Sequence, residues 1–288
     1  MGKWWSLRCL CLVLLVSCGG GGGGSSYTGG SILGPRPAGA PDVVVLSVSG
    51  HDGAISGLLC TSDTNRSYLG DPGDAIDAVV DAILDLGLTV EVGNFADRLL
   101  APDLDRDGQP DNGEQYGFAE LLATMQWVFD EWMDGVANPT KLVLVAHSHG
   151  ATWAHMATSV MSHIPVSSLV TLDGICSFWE CEHAEEVADW VAANGLVFAW
   201  DIAHPCDAWT VGAAVYNTKD VAFDNVAVNL EVQSADPFVS DCCDNVRLDG
   251  TSDGIATYTS GEDHNGVRGA SSDAMTWVGD WIRINGVP

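Results

Sequence analysis

Basic residues are scarce in this chain: 11 Lys and Arg stand against 39 Asp and Glu among 288 residues, a formal net charge of -28. A charge of this sign repels nucleic acids and the bare surface of anionic membranes. We therefore expect no nucleic-acid function. Charged residues of both signs make up 17% of the chain and hydrophobic residues 47%, which is enough apolar material for one large domain with a substantial core.

A hydrophobic run of membrane-spanning length is also lacking near the N-terminus. The apolar stretch LCLVLLVS follows Lys3 and Arg8, is too short for a mature transmembrane helix, and is built like a secretory signal. It ends in Leu15-Val16-Ser17-Cys18, which resembles the lipobox of bacterial lipoproteins. That resemblance implies cleavage before Cys18 and lipidation of its side chain. An ordinary signal peptide cut nearby is the alternative.

The chain therefore divides into three parts. Residues 1–18 are the predicted lipoprotein signal, residues 19–41 form a Gly, Ser and Pro-rich flexible tether, and residues 42–288 form the globular domain. We expect an exported protein of the cell envelope, held by its lipid at the outer membrane or cell surface. The oligomeric state stays open.

Paired CxxC motifs are absent, which argues against a cysteine metal site. The domain still holds an even number of cysteines, which in an exported protein predicts up to three disulfides with undetermined pairing. They are Cys60, Cys176, Cys181, Cys206, Cys242 and Cys243.

Short apolar runs alternate with amphipathic segments along the domain, which predicts an α/β fold with a mainly parallel central sheet and helices on both faces. Residues 196–225 fit this alternation poorly and are interpreted as a lid or a surface loop. The predicted strands are 42–48, 88–95, 141–147, 168–173, 226–234 and one within 254–260; the predicted helices are 74–86, 117–136, 150–163, 183–195 and about 270–284.

The stretch VLVAHSHGATWAH, residues 143–155, permits two interpretations. His147 and His149 have the H-x-H spacing of some metallohydrolases, whereas Ala146 to Gly150 has the small flanking residues of a turn that presents a nucleophilic serine. The Asp-His that would continue a metallo-β-lactamase-type motif is missing, and so is a helical HExxH pair. The motif therefore favours Ser148 as nucleophile, with the two histidines lining a pocket.

Side chains suited to acyl transfer follow the predicted strands in the order serine, acid, histidine: Ser148, Asp173 and His264. Function in such sheets collects at the carboxyl ends of the strands. On these residues, positions 42–284 resemble an α/β-hydrolase of the lipase and esterase kind, with A-H-S-H-G in place of G-x-S-x-G. The resemblance implies Ser148 as nucleophile, His264 as base and an aspartate that orients it.

The same resemblance implies an oxyanion hole of two backbone N–H groups. One belongs to His149, the residue after the nucleophile, and the other to His51 in VSGHDG, which lies over a His-Gly-x pattern of lipases although Ser49 replaces the usual histidine. Two aspartates compete for the third role. Asp173 in VTLDG resembles the T-L-D segment of pancreatic-type lipases and is favoured because it follows its strand directly; Asp236 in VQSADPF is the alternative.

A second motif, DLDRDGQPDNGE at residues 103–114, predicts a structural Ca²⁺ site. Its oxygen ligands fall at the spacing of the twelve-residue EF-hand loop, and carboxylates crowded in this way repel one another without a cation. Pro110 departs from the helix-loop-helix pattern, so the segment resembles the free-standing calcium loops of secreted bacterial proteins. A solvated acidic loop is the alternative. The predicted ligands are Asp103, Asp105, Asp107, Gln109, Asp111 and Glu114.

Taken together, these features predict an exported serine hydrolase that cleaves small-molecule or lipid carboxylic esters. A thioesterase or amidase would use the same three residues. A non-catalytic surface-binding domain on a hydrolase fold and a metallohydrolase are the alternatives from other classes.

Overall fold

The computed structural model describes residues 33–51, 66–101, 115–176, 178–207, 209–211, 214–236 and 244–288. The strands are β1 (Val43–Val48), β2 (Val90–Phe95), β3 (Lys141–His147), β4 (Val166–Leu172), β5 (Trp209–Val211), β6 (Ala214–Tyr216), β7 (Val221–Ala222), β8 (Val226–Gln233), β9 (Val246–Arg247) and β10 (Ile255–Thr259). The helices are α1 (Ala75–Asp85), α2 (Phe118–Val128), α3 (His149–Val160), α4 (Trp179–Asn194) and α5 (Asp273–Asn285).

Six of these strands form one sheet in the order β10-β8-β4-β3-β1-β2, and every neighbouring pair is parallel. Parallel neighbours need crossover connections, which the helices between the strands supply. The predicted mainly parallel sheet is confirmed. Within the described residues the remaining strands form two small pairs, β5 with β6 and β7 with β9.

Side chains of the buried strands point alternately to the two faces of the sheet, so each strand contributes residues to two hydrophobic cores. Val44, Leu46 and Val48 belong to one core, which α2, α3 and α4 cover. Val43 and Val45 belong to the other, which α1 and α5 cover. Helices therefore lie on both faces, as predicted. None of the helices in the described part of the chain is long and apolar enough to cross a bilayer.

Helix bounds differ from the predictions where local chemistry intervenes. Helix α5 begins at Asp273 because the Ser272 Oγ accepts a hydrogen bond from the Met275 N–H at 3.0 Å, which caps the helix. Helix α2 ends at Val128 and continues as a single π-helical turn, Phe129–Met133.

The segment 196–225 is partly internal. The 3₁₀ turn Thr218–Asp220 is buried, and the Val221 carbonyl accepts a hydrogen bond from His155 Nδ1 on α3 at 2.6 Å. A disulfide between Cys176 and Cys206 ties the segment to the loop before α4. This part of the segment is therefore packed structure rather than a surface loop. One of the predicted disulfides is confirmed, and Cys181 is disulfide-bonded as well.

Candidate active site

Ser148 lies in a strained turn between β3 and α3. Its backbone has φ 59° and ψ -131°, a positive φ that L-residues rarely adopt, and its side chain is buried. The turn needs small neighbours: a Cβ added to Gly150 would lie 2.0 Å from the Val48 carbonyl oxygen. A Cβ on Gly50 would lie 2.4 Å from the Ser148 Cβ. The loop after β1 thus presses directly against the serine turn, and only glycine permits both approaches.

Asp173 follows β4 at the same edge of the sheet and contacts His264, which follows β10. The Asp173 Oδ2 accepts a hydrogen bond from His264 Nδ1 at 2.5 Å, and its Oδ1 accepts one from the Ser234 N–H at 3.0 Å. Burial alone raises the pKa of the Asp173 carboxyl, but these hydrogen bonds outweigh it and the pKa lies below its usual value. The carboxylate therefore stays ionised and holds the proton of His264 on Nδ1, leaving Nε2 as an acceptor.

Asp236, the alternative acid, lies beyond the end of β8. Its backbone N–H donates a hydrogen bond to the Ser234 Oγ at 3.2 Å. The carboxylate that contacts His264 is thus that of Asp173, the residue favoured from the sequence.

His147 supports His264 through the backbone, and no local pattern in the sequence indicates this contact. His147 Nε2 lies 2.7 Å from the His264 carbonyl oxygen, and Nδ1 lies 2.6 Å from the Tyr68 hydroxyl. Burial and the neighbouring His264 lower the pKa of His147 to about 3, so the ring is neutral. A carbonyl can only accept, so the His147 Nε2 carries the proton and its Nδ1 accepts a hydrogen bond from the Tyr68 hydroxyl. The Tyr68 oxygen in turn accepts a hydrogen bond from the Gly50 N–H at 2.9 Å.

These contacts form a continuous hydrogen-bonded chain from Gly50 through Tyr68 and His147 to the backbone of His264. The rings of His147 and His264 also contact each other, with centroids 4.6 Å apart and planes inclined by 32°. Arg268 lies over the Tyr68 ring at 4.4 Å and fixes its position. These contacts therefore fix the position of the His147 ring, on the strand before the serine, relative to His264, on the loop after β10.

His149 and His51, the predicted oxyanion-hole residues, flank the serine turn. His149 is the first residue of α3, where backbone N–H groups point out of the helix end. A Cβ on Gly50, the neighbour of His51, would lie 2.9 Å from the His149 backbone nitrogen, so the two backbone segments lie side by side. The donor roles of both residues stay predictions.

The two histidine rings of the H-x-H pattern do not converge on one point. His147 faces Tyr68 and His264, whereas His149 Nδ1 lies 3.0 Å from the Asp97 Oδ2. Both rings are buried instead of lining an open pocket. Burial alone raises the pKa of the Asp97 carboxyl, but His183 and His149 outweigh it and hold the pKa well below its usual range.

The predicted calcium ligands Asp103, Asp105, Asp107, Gln109, Asp111 and Glu114 lie outside the described residues, as does Cys18. The two described ends of the calcium segment are bridged by the backbone: Ala96 N–H donates to the Tyr116 carbonyl at 2.6 Å, and Phe118 N–H donates to the Arg98 carbonyl at 2.8 Å. The segment thus leaves and rejoins the fold at one place, beside Asp97 and the start of α2.

The parallel sheet, the strained serine turn and the acid and histidine at one edge confirm the predicted fold class, an α/β-hydrolase type of architecture. No family model and no curated protein matches the sequence. Similar solved structures include the esterase Pf2001 of Pyrococcus furiosus, 12% identical with a TM-score of 0.45 over 84% of this chain and 81% of that one. The esterase domain of a Rhodothermus marinus protein is 15% identical, with a TM-score of 0.39 over 88% of each chain.

Est1E of Butyrivibrio proteoclasticus is 13% identical to this chain, with a TM-score of 0.39 over 87% of this chain and 90% of its own. At these identities and TM-scores, the likenesses carry no argument about activity. The proposed activity therefore rests on the geometry of the site.

Proposed function

We propose that the chain is a serine hydrolase that cleaves carboxylic esters through an acyl-enzyme on Ser148. The observation that carries the proposal is the 2.5 Å contact between the Asp173 carboxylate and His264 Nδ1, at the sheet edge where the strained turn places Ser148. Separate loops supply the three residues, and an acid–imidazole pair beside a serine nucleophile is the arrangement that acyl transfer requires.

In the proposed reaction the Ser148 Oγ attacks the ester carbonyl while His264 Nε2 takes the hydroxyl proton. Collapse of the tetrahedral intermediate breaks the bond to the alcohol, which leaves with the proton that His264 returns. Water then attacks the acyl-enzyme with the same base, releasing the carboxylic acid and restoring Ser148. The ionised Asp173 stabilises the imidazolium form of His264 in both steps.

The negative oxygen of the intermediate needs fixed donors, each of which is worth roughly a hundredfold or more in rate. We assign the backbone N–H groups of His149 and His51 to this role. The close approach of Gly50 to Ser148 supports the assignment, because it brings the loop carrying His51 against the serine turn.

We further propose that the enzyme is exported and anchored by lipid at Cys18, and that Ca²⁺ bound at residues 103–114 supports the fold. Support for the anchor comes from the signal-like N-terminus, and support for calcium from the ligand spacing. An anchor at the cell envelope suits a lipid or small-molecule ester as substrate. Radiolabelled palmitate incorporated by the wild type and not by Cys18→Ala is the result expected for the anchor.

Covalent labelling with a fluorophosphonate tests the serine mechanism. We expect the folded protein to be labelled and to hydrolyse an activated ester, and Ser148→Ala to lose both properties. Ser159→Ala is the matched control: Ser159 lies on the following helix, and its hydroxyl only donates to the Met156 carbonyl at 2.9 Å. No labelling of folded wild-type protein would leave the non-catalytic binding domain as the better interpretation.

A further inference from the structure

Four side chains capable of binding a metal converge behind the serine turn. Asp97 comes from the loop after β2, His149 from the first turn of α3, and Glu182 and His183 from the first turns of α4. One ligand atom from each lies within 4.8 Å of all the others. The cluster cannot be recognised from a local sequence pattern. Asp97 and His183 are separated by 86 residues in the chain, yet the Asp97 Oδ1 lies 3.0 Å from the His183 Nε2.

The cluster is enclosed. The side chains of Asp97, His149, Glu182 and His183 are 0%, 4%, 1% and 0% exposed. Trp153 and Trp179 pack against the His183 ring, with centroids 5.0 and 5.2 Å away and ring planes inclined by 64° and 54°. An apolar wall of this kind lowers the local dielectric and strengthens any charge interaction inside it.

Glu182 is the feature that a hydrogen-bond network does not explain. Its Oε2 is buried and has no hydrogen-bond partner among the described residues. Three imidazole nitrogens face this oxygen at 3.5, 3.6 and 3.7 Å, those of His51, His149 and His183, all beyond hydrogen-bonding range. Burying a carboxylate oxygen without a hydrogen-bond donor is costly, and a metal ion bound beside it would offset that cost.

The spacing fits a small tetrahedral ion. Metal–ligand distances of about 2 Å place neighbouring ligands of a tetrahedron about 3.3 Å apart. Four of the separations bracket that value, from 3.0 Å between His149 Nδ1 and Asp97 Oδ2 to 3.7 Å between His183 Nε2 and Glu182 Oε2, and all the ligand atoms lie within 4.8 Å of one another. Two imidazoles with two carboxylates suit Zn²⁺, whereas Ca²⁺ and Mg²⁺ prefer oxygen ligands alone.

We propose that Asp97, His149, Glu182 and His183 bind a zinc ion. Binding requires a lone pair on both imidazole nitrogens, so a hydrogen on His149 Nδ1 or His183 Nε2 either leaves as a proton from a cationic ring or moves to the other nitrogen of a neutral ring. Trp153 Nε1, which donates to the Asp97 Oδ1 at 2.7 Å, stays in place and orients the carboxylate from outside.

An acidic groove runs along α4 beside the cluster. A cavity of about 700 Å³ is lined by Glu182 together with the exposed Glu185, Glu186 and Asp189. Carboxylates along the opening raise the local concentration of cations, and Glu182 joins this groove to the buried cluster.

The position of the ion would matter for the neighbouring turn. His149 follows Ser148 directly, so a metal bound to its ring fixes the residue whose N–H we assign to the oxyanion hole. This consequence rests on the proposed function; zinc binding itself does not.

Zinc binding to the full-length, tag-free protein tests the proposal. Chelator-treated protein is titrated with ZnCl₂ by calorimetry, with calcium in excess throughout so that the loop at 103–114 contributes nothing. We expect one ion per chain at submicromolar affinity, and Co²⁺ in its place to give the visible absorption of a four-coordinate site. Glu182→Gln, nearly identical in shape, should weaken zinc binding at least about 100-fold, beyond the effect of losing an outer contact.

Glu131→Gln is the matched control, because it removes the same charge from an exposed side chain on the π-helical turn, outside the cluster and outside the groove. We expect its zinc affinity to stay within about twofold of the wild type, as for an exposed carboxylate screened by solvent. Absence of submicromolar zinc binding, or equal binding by Glu182→Gln with unchanged circular dichroism, would overturn the proposal. Zinc binding without fluorophosphonate labelling would instead refute only the hydrolase assignment.

Discussion

Replacing Asp173 by Asn removes one charge and one acceptor from the acid–imidazole pair while keeping the shape of the side chain. The wild-type carboxylate accepts twice, from His264 Nδ1 through Oδ2 and from the Ser234 N–H through Oδ1. An amide has only one acceptor oxygen. If that oxygen stays on Ser234, the NH₂ group faces His264 Nδ1 and drives the imidazole proton to Nε2. The ring then cannot accept the proton of Ser148.

The loss can be worked from these contacts. Keeping the active tautomer requires the amide to flip, which leaves the buried Ser234 N–H without an acceptor at a cost of about 1–3 kcal/mol. Replacing the charge-assisted hydrogen bond to the imidazolium by a neutral one costs about 1–2 kcal/mol more in the transition state. The sum of about 2–5 kcal/mol corresponds to a kcat roughly 30-fold to several thousand-fold lower.

The assay is steady-state hydrolysis of a p-nitrophenyl ester, with thermal unfolding to confirm that each variant is folded. Asp236→Asn is the matched control at the end of the neighbouring strand, and its kcat should stay close to that of the wild type. The fluorophosphonate labelling rate of Asp173→Asn should fall with kcat, because both depend on deprotonation of Ser148. Full turnover by Asp173→Asn together with a slow Asp236→Asn would refute the assignment.

Three further outcomes are expected. In Gly150→Ala the new Cβ would lie 2.0 Å from the Val48 carbonyl oxygen, so the free energy of unfolding in urea should fall by about 3 kcal/mol or more. In Gly269→Ala the nearest atom to the new Cβ lies at 3.4 Å, so the unfolding free energy should change little. Similar losses in the two variants would contradict the packing argument. Burial lowers the pKa of His155 to about 4 from 6.5, so the unfolded chain binds more protons between these values and stability falls as the pH falls. By linkage, the His155 imidazole lowers the free energy of unfolding by about 2 kcal/mol between pH 8 and pH 5. The unfolding free energy of His155→Leu should therefore depend less on pH by about this amount. Calcium at about 100 times its Kd should stabilise the chelated wild type by about 2.7 kcal/mol, raising Tm by about 5–10 °C, and Asp105→Asn should lose the shift; an unchanged wild-type Tm would rule out the calcium loop.

The H-x-H pattern at residues 147–149 illustrates how a short motif can mislead about its partners. Interpreted as a pair, His147 and His149 suggest a shared metal, and the neighbouring sequence argues against it. Because Ser148 adopts a positive φ between them, the two rings leave the turn toward different partners. His147 supports His264, and His149 joins Asp97 in a cluster whose other members lie on α4.

Most of the fold could be predicted, because its signals are local. The valine-rich run at 43–48 and the apolar stripe of α1 specify a buried strand and an amphipathic helix through residues a few positions apart. The small residues around Ser148 likewise predict a tight turn, and Gly150 is required there because a larger residue would clash with the backbone of Val48. Helix ends were less predictable, since the start of α5 depends on one hydroxyl of Ser272.

By itself, the sequence determined the alternation of strands and helices, the serine turn and the candidate residues at the carboxyl edge of the sheet. Only the tertiary structure decided which carboxylate contacts His264, and it did so through the register that sets Asp173 beside Ser234. It alone brought Tyr68 to His147 across 79 residues, and gathered Asp97 with Glu182 and His183 under two tryptophans. The physical reason is that periodicity encodes the path of the backbone, whereas contacts between distant loops arise only when parallel strands align their ends.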